Sequence, residues 1–134
     1  RSMLEKTSID VGVENRVLMP GFVKNPYKYI KDSSGFVLSS RYEGLPNVLI
    51  ESLALKTPVV STSCKSGPNE ILNEGEFGKL VKVDDEESLS EALLWLIKEK
   101  ETACKMALSA EKSLLRFSSE NAGMSLMSVI EEVQ

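Results

Sequence analysis

Short, mainly apolar runs alternate with segments of helical period along this chain, and that alternation constrains the fold more than any other feature. The apolar runs lie at residues 17–19, 36–39, 59–62 and 80–83. A strand with one wet face alternates apolar and polar residues; a continuous apolar strand is covered on both faces. Such strands, joined through helices, form a parallel sheet with helices on either side. The expected fold is therefore α/β, a doubly wound parallel sheet with strands at these four places. Sheets of this kind bind ligands beyond the carboxyl ends of their strands.

The helices between the strands are marked by their ends and their periods. Residues 3–12 are weakly helical and stop near Gly12, a residue suited to a helix C-terminus. Pro26 opens a short helix over 26–31, Pro46 opens one over 46–55, and Pro68 opens one over 68–73. The second of these is apolar on nearly every face, which predicts burial on several sides. Asp84 or Asp85 caps the next helix. There Leu89, Ala92, Leu93, Leu96 and Ile97 recur with the period of one buried face. Ala103, Met106, Ala107, Ala110, Leu114 and Phe117 predict a further stripe, and a last helix is expected over 120–132.

Composition removes several kinds of chemistry. The 134 residues suit one domain with a sizeable core. There is no histidine, which excludes Ser–His and Cys–His nucleophile pairs and any His-ligated metal. Cys64 and Cys104 stand too far apart for a zinc or redox motif, and two free thiols fit a reducing cytosol. No run reaches the roughly 18 apolar residues of a membrane span, and the first residues carry no apolar signal core. The expected location is cytoplasmic. Residues 1–82 carry 11 Lys and Arg against 9 Asp and Glu; residues 83–134 carry 5 against 11. The acidic half reads as solvated helix faces, and the first half tolerates an anionic ligand. No basic cluster is dense enough for nucleic acid.

The loop after the second apolar run reads S-S-R-Y-E-G-L-P-N-V-L-I-E, residues 39–51. Glu43 sits at the carboxyl end of a buried strand. The turn at Gly44, Leu45, Pro46 and Asn47 starts a helix whose first amides have no partner within it, Pro46 having none to offer. A helix N-terminus favours anions through those amides and its dipole. Glu51, in the second turn, stands among Val, Leu, Ile, Ser and Ala. A carboxylate there must be satisfied, since burying it ionised and unpaired costs several kcal/mol. Ligand hydroxyls would satisfy it, and so would a structural partner such as Arg41; position alone leaves both open. A solvated loop before a capped helix is the plain alternative to a phosphate site.

Glu43 and Glu51, eight apart around G-L-P-N-V-L-I, resemble the Glu-x7-Glu motif of the family-4 (group 1) retaining glycosyltransferases of the GT-B fold. The strand G-F-V-L-S-S-R before the motif is similar to that family's. So are A-L-K-T-P-V-V-S-T after it, C-K-S-G-P-N-E-I-L at 64–72, G-K-L-V at 78–81 and V-L-M-P-G-F at 17–22. Lys56 and Thr57 stand where the family often has Gly, and Pro46 replaces another frequent Gly, removing one donor. The resemblance covers roughly residues 10–100. It implies a Rossmann-like sheet, part of the C-terminal, donor-binding lobe of a GT-B fold, in residues 1–134.

The resemblance also implies roles. Glu51 would accept the ribose hydroxyls of a nucleotide, and Glu43 would act near the anomeric centre of the donor sugar. The amides of Asn47 and Val48 would hold the diphosphate. Gly44 and Leu45 would meet the sugar, and Gly21 and Phe22 would lie near the base. The donor would be a nucleotide-diphosphate sugar, expected to be a UDP-sugar, with no cofactor and no metal. The reaction would be retaining transfer of a hexose or N-acetylhexosamine to a glycan or lipid-linked acceptor, in cell-surface polysaccharide or lipopolysaccharide biosynthesis. The acceptor domain, and the Arg and Lys that clamp the diphosphate, have no counterpart in these residues. This stretch alone is therefore expected to be inactive, and the full-length protein could sit peripherally at the cytoplasmic face of a membrane. A non-catalytic α/β binding or interaction module is the alternative. A nucleotide-sugar epimerase would be expected to use histidines, which are missing here.

Overall fold

The computed structural model describes residues 1–132. The sheet has three parallel strands in the order β1 (Phe36–Leu38), β2 (Val59–Thr62) and β3 (Lys79–Val81). Val37 pairs with Val60 and Val60 with Lys79. All four residues of β2 are buried, as a central strand with both faces covered requires.

Alternation along β2 sends its side chains into two cores. Val59 packs with Leu49, Leu53, Ile71, Leu72 and Phe77; Phe36, Leu38 and Leu80 join from the neighbouring strands. Val60 faces the other way, onto Val81, Ala92, Leu96 and Ala103. The first core is closed by α3 (Asn47–Ala54) and α4 (Pro68–Ile71), the second by α5 (Glu86–Lys98). The doubly wound arrangement is thus present around β2. Gly78 permits the close approach of β3, since a Cβ there would lie 2.4 Å from Cγ2 of Val59.

Helix ends follow local chemistry. Asp85 caps α5: its Oδ1 accepts from the Ser88 amide at 2.9 Å, and the Ser88 hydroxyl donates to Oδ2 at 2.7 Å. These bonds to Ser88 hold the Asp85 carboxyl below the usual aspartate range. After α5 the chain turns at Glu99 into α6 (Lys100–Ser109), then α7 (Glu111–Leu114). Ala103 of α6 lies in the second core, whereas Ala107 and Ala110 lie in the first. The expected second stripe therefore serves two cores, because α6 carries the chain from one face of the sheet to the other. Small alanines make that close passage feasible.

Three expectations are corrected. Residues 17–19 form no strand: Val17 and Leu18 are 43% and 82% exposed, and none of the described strands pairs with them. An apolar run becomes a strand only where a neighbour supplies its hydrogen bonds. The third strand ends at Val81, short of Val83. Ile97 is 71% exposed and lies outside the buried face of α5. The remaining elements are α1 (Ser2–Asp10), α2 (Tyr27–Asp32) and α8 (Ser119–Glu132). Among the described residues, no helix is long and apolar enough to cross a membrane.

Candidate functional site

The site is built where the first two strands end. Thr62, the last residue of β2, is 5% exposed. Its hydroxyl donates to the Ser40 carbonyl at 2.5 Å and more weakly to that of Leu38 at 3.3 Å. This continues the attachment of β1 to β2 past the point where the ladder stops. Tyr42 and Lys65 then make an isolated parallel bridge between the two following loops. The loop that carries Glu43 is therefore held to the neighbouring strand end along much of its length.

Glu43 is half-buried, and its Oε1 accepts a hydrogen bond from the Ser40 hydroxyl at 2.6 Å. Gly44 and Leu45 follow on the exposed side, Leu45 being 49% exposed. Gly67, in the loop after β2, fits directly beneath them. A Cβ on Gly67 would stand 2.3 Å from the Gly44 carbonyl oxygen and 2.5 Å from Cδ of Pro46. Its φ of +71° and ψ of −74° lie in a region strained for side-chain-bearing residues.

Pro46 is buried and forms the N-cap of α3 with extended backbone. Its carbonyl already accepts from the Leu49 amide at 2.9 Å, and no side chain caps the helix. The amides of Asn47 and Val48 are left facing outward at the positive end of the helix dipole. Asn47 is exposed and Val48 half-buried, so a ligand can reach this end.

One turn further along α3, Glu51 is half-buried and accepts from the Tyr27 hydroxyl of α2 at 3.2 Å. The charge of Glu51, and then this hydrogen bond, raise the Tyr27 hydroxyl above its ordinary pKa. The structural partner considered for Glu51, Arg41, is engaged elsewhere. Its Nε lies 2.7 Å from Oδ1 of Asp84, in the loop after β3. Arg41 therefore satisfies neither Glu51 nor Glu43, and among the described residues neither glutamate has an ion pair with it or with Lys65. The hydrogen bond to Asp84, then its charge, raise the Arg41 guanidinium further. Both partners are well exposed, so the pair orders the loops more than it stabilises the fold.

The structure thus brings Glu43, Gly44, Leu45, Asn47, Val48 and Glu51 onto one loop-and-helix unit. It does not bring Gly21 and Phe22 into contact with that unit. Phe22 is 95% exposed, and the nearest atom to a Cβ built on Gly21 is Nη1 of Arg1. A cleft of about 260 Å3 opens nearby, lined by Ser39, Arg41, Thr62, Lys82, Asp84 and Asp85. Neither Glu43 nor Glu51 lines it, and the carboxylates of Asp84, Asp85 and Glu86 make it a poor place for a diphosphate. Ser40, Thr62 and Gly67 lie within segments that resemble the family's, yet no spacing assigns them a supporting role, and Tyr27 lies outside those segments. Ser40 alone, three before Glu43, was within local reach.

The profile of the family described as glycosyl transferases group 1 matches residues 1–113. Over 90 residues the chain is 43% identical to the N-acetylgalactosamine-N,N'-diacetylbacillosaminyl-diphospho-undecaprenol 4-alpha-N-acetylgalactosaminyltransferase of Campylobacter jejuni; this covers 67% of this chain and 25% of that protein. It is 33% identical over 121 residues to the lipopolysaccharide core biosynthesis glycosyltransferase LpsE of Rhizobium meliloti, covering 90% of this chain and 35% of that one. A crystal structure of a mutant TarM from S. aureus, in complex with fondaparinux, alpha-GlcNAc-glycerol and UDP, superposes with a TM-score of 0.87 at 24% identity. It covers 96% of this chain and 26% of TarM, and shares the fold. The chain spans a quarter of the first of these two relatives and about a third of the second.

Proposed function

The chain belongs to the group 1 glycosyl transferases, and from that premise we propose that it is the donor-binding part of a longer retaining enzyme. That enzyme transfers a hexose or N-acetylhexosamine from a nucleotide-diphosphate sugar to a glycan or lipid-linked acceptor. The observation that carries the proposal is the unit just described: a braced carboxylate at Glu43, two outward amides at Asn47 and Val48, and a second carboxylate at Glu51. All three lie in sequence around the carboxyl end of a parallel strand.

Each part has a chemical task. Glycosidic bond breakage leaves negative charge on the departing diphosphate. Fixed amides at a helix start stabilise it without reorganising. The sugar ring gains positive charge at the same moment, and a carboxylate at Glu43 stabilises that. Glu51, one turn along the helix, accepts the ribose hydroxyls and orients the nucleotide. Tyr27 holds its carboxylate in the free protein. The UDP in the TarM complex and the lipopolysaccharide role of LpsE favour a UDP-sugar and cell-surface glycan assembly. The acceptor site belongs to the remaining length that the relatives carry, so the 134 residues alone transfer no sugar. A non-catalytic module has no specific observation in its favour, since both carboxylates and the open helix start stand together.

Glu51 supplies the test. In the full-length enzyme Glu51→Ala is expected to weaken nucleotide binding by roughly 1–3 kcal/mol, the scale of hydrogen bonds to a charged group. Calorimetry with UDP reads this directly, and unchanged affinity rejects the ribose assignment.

A further inference from the structure

We propose that Ser40, held in place by Thr62, is a positioning residue for the carboxylate of Glu43. The inference rests on the reading of Glu43 given above and adds a device that acts through it. The Ser40 hydroxyl donates to Glu43 Oε1 at 2.6 Å, a charge-assisted hydrogen bond. The Ser40 backbone is fixed in turn, because its carbonyl accepts from the Thr62 hydroxyl at 2.5 Å. Thr62 is buried on β2, the strand covered on both faces.

The chain of contacts therefore runs from the core outward: β2 backbone, Thr62 hydroxyl, Ser40 carbonyl, Ser40 hydroxyl, Glu43 carboxylate. No cation holds Glu43 among the described residues, and Arg41, two positions before it, is drawn away to Asp84. Ser40 is thus the side chain that fixes where the negative charge stands. A carboxylate that stabilises a transition state must be held close to its productive position, and its own rotamer needs a supporting partner. Ser40 reaches only one of its two oxygens, which leaves the other available to the sugar.

The test uses the full-length enzyme with UDP-sugar donors. Ser40→Ala is expected to lower kcat about tenfold, which is about 1.4 kcal/mol of barrier, with the donor KM changed less than about twofold. Ser40→Thr restores the hydroxyl and most of the rate. Thr62→Val, close in shape but without the donor, lowers kcat in the same direction; should it fail to fold, the two Ser40 variants decide alone. In the double variant with Glu43→Gln, the Ser40→Ala loss disappears, because the hydroxyl acts only through the carboxylate. If Glu43→Gln is slow and Ser40→Ala retains a normal kcat, the positioning role is overturned and the reading of Glu43 survives. If Glu43→Gln itself keeps a normal kcat, both fall. A lowered melting temperature with normal kinetics in Ser40→Ala also overturns the proposal.

Discussion

Glu43→Gln in the full-length enzyme is expected to lower kcat and kcat/KM together, by on the order of a hundredfold. That is the scale on which a single fixed electrostatic group contributes to a transition state. Glutamine keeps the size of the side chain and can still accept from Ser40, so the loop stays intact. What is lost is the charge opposite the developing positive ring. A contact made equally in the ground state would instead raise KM and leave kcat alone. A structural role would appear as a lower melting temperature with near-normal kinetics. Steady-state rates with a melting curve beside them separate these outcomes.

Gly67→Ala is expected to have the largest effect on stability. The added methyl would meet the Gly44 carbonyl oxygen at 2.3 Å and Pro46 Cδ at 2.5 Å. Neither contact is the flexible end of a long side chain, so backbone must move. The conformation at φ +71° and ψ −74° is strained for alanine besides. Overpacking costs about 1–3 kcal/mol, and such backbone strain adds a further 1–3 kcal/mol or so. A loss of roughly 2–6 kcal/mol follows, read by chemical denaturation. The same shift displaces the start of α3, so nucleotide affinity falls with stability. A melting curve indistinguishable from wild type would show that the two loops are not packed as described.

The sequence made the sheet legible where information was local. The run at β2, with Pro58 before it, reads as a strand covered on both faces, and it is buried throughout. Pro46 and Pro68 placed helix starts to within a residue. Residues 17–19 show the limit: apolar character says that a segment seeks cover, but a strand exists only with a partner, and partners are not local. Ile97 fails for a related reason. Leu96 beside it is buried in the second core, yet Ile97 points past the edge of that core and stays 71% exposed.

The candidate site divides the same way. Glu43, the helix start and Glu51 form one continuous stretch, so their order and spacing carried the reading. Arg41 is near the glutamates in sequence, which made it one of the open structural partners for Glu51. It pairs instead with Asp84, 43 residues later, because the loops after β1 and β3 meet beyond the end of β2. Tyr27 is 24 residues from Glu51, and Thr62 is 22 from Ser40. Contacts of this kind are set by topology and leave no periodic trace.

The central claim is that the Glu43–Glu51 unit binds the donor nucleotide, and amide chemical shifts of the 134-residue chain titrated with UDP and a UDP-sugar test it most directly. Two neutral amide bonds, each worth about 0.5–1.5 kcal/mol, and the contacts of Glu51 support only weak binding. A dissociation constant of roughly 1 mM, about −4 kcal/mol, is predicted. The shifts should centre on Gly44, Asn47, Val48 and Glu51, and Glu51→Ala should weaken the response. Shifts confined to the cleft between Arg41 and Asp84, or none at all at saturating millimolar nucleotide, would contradict it.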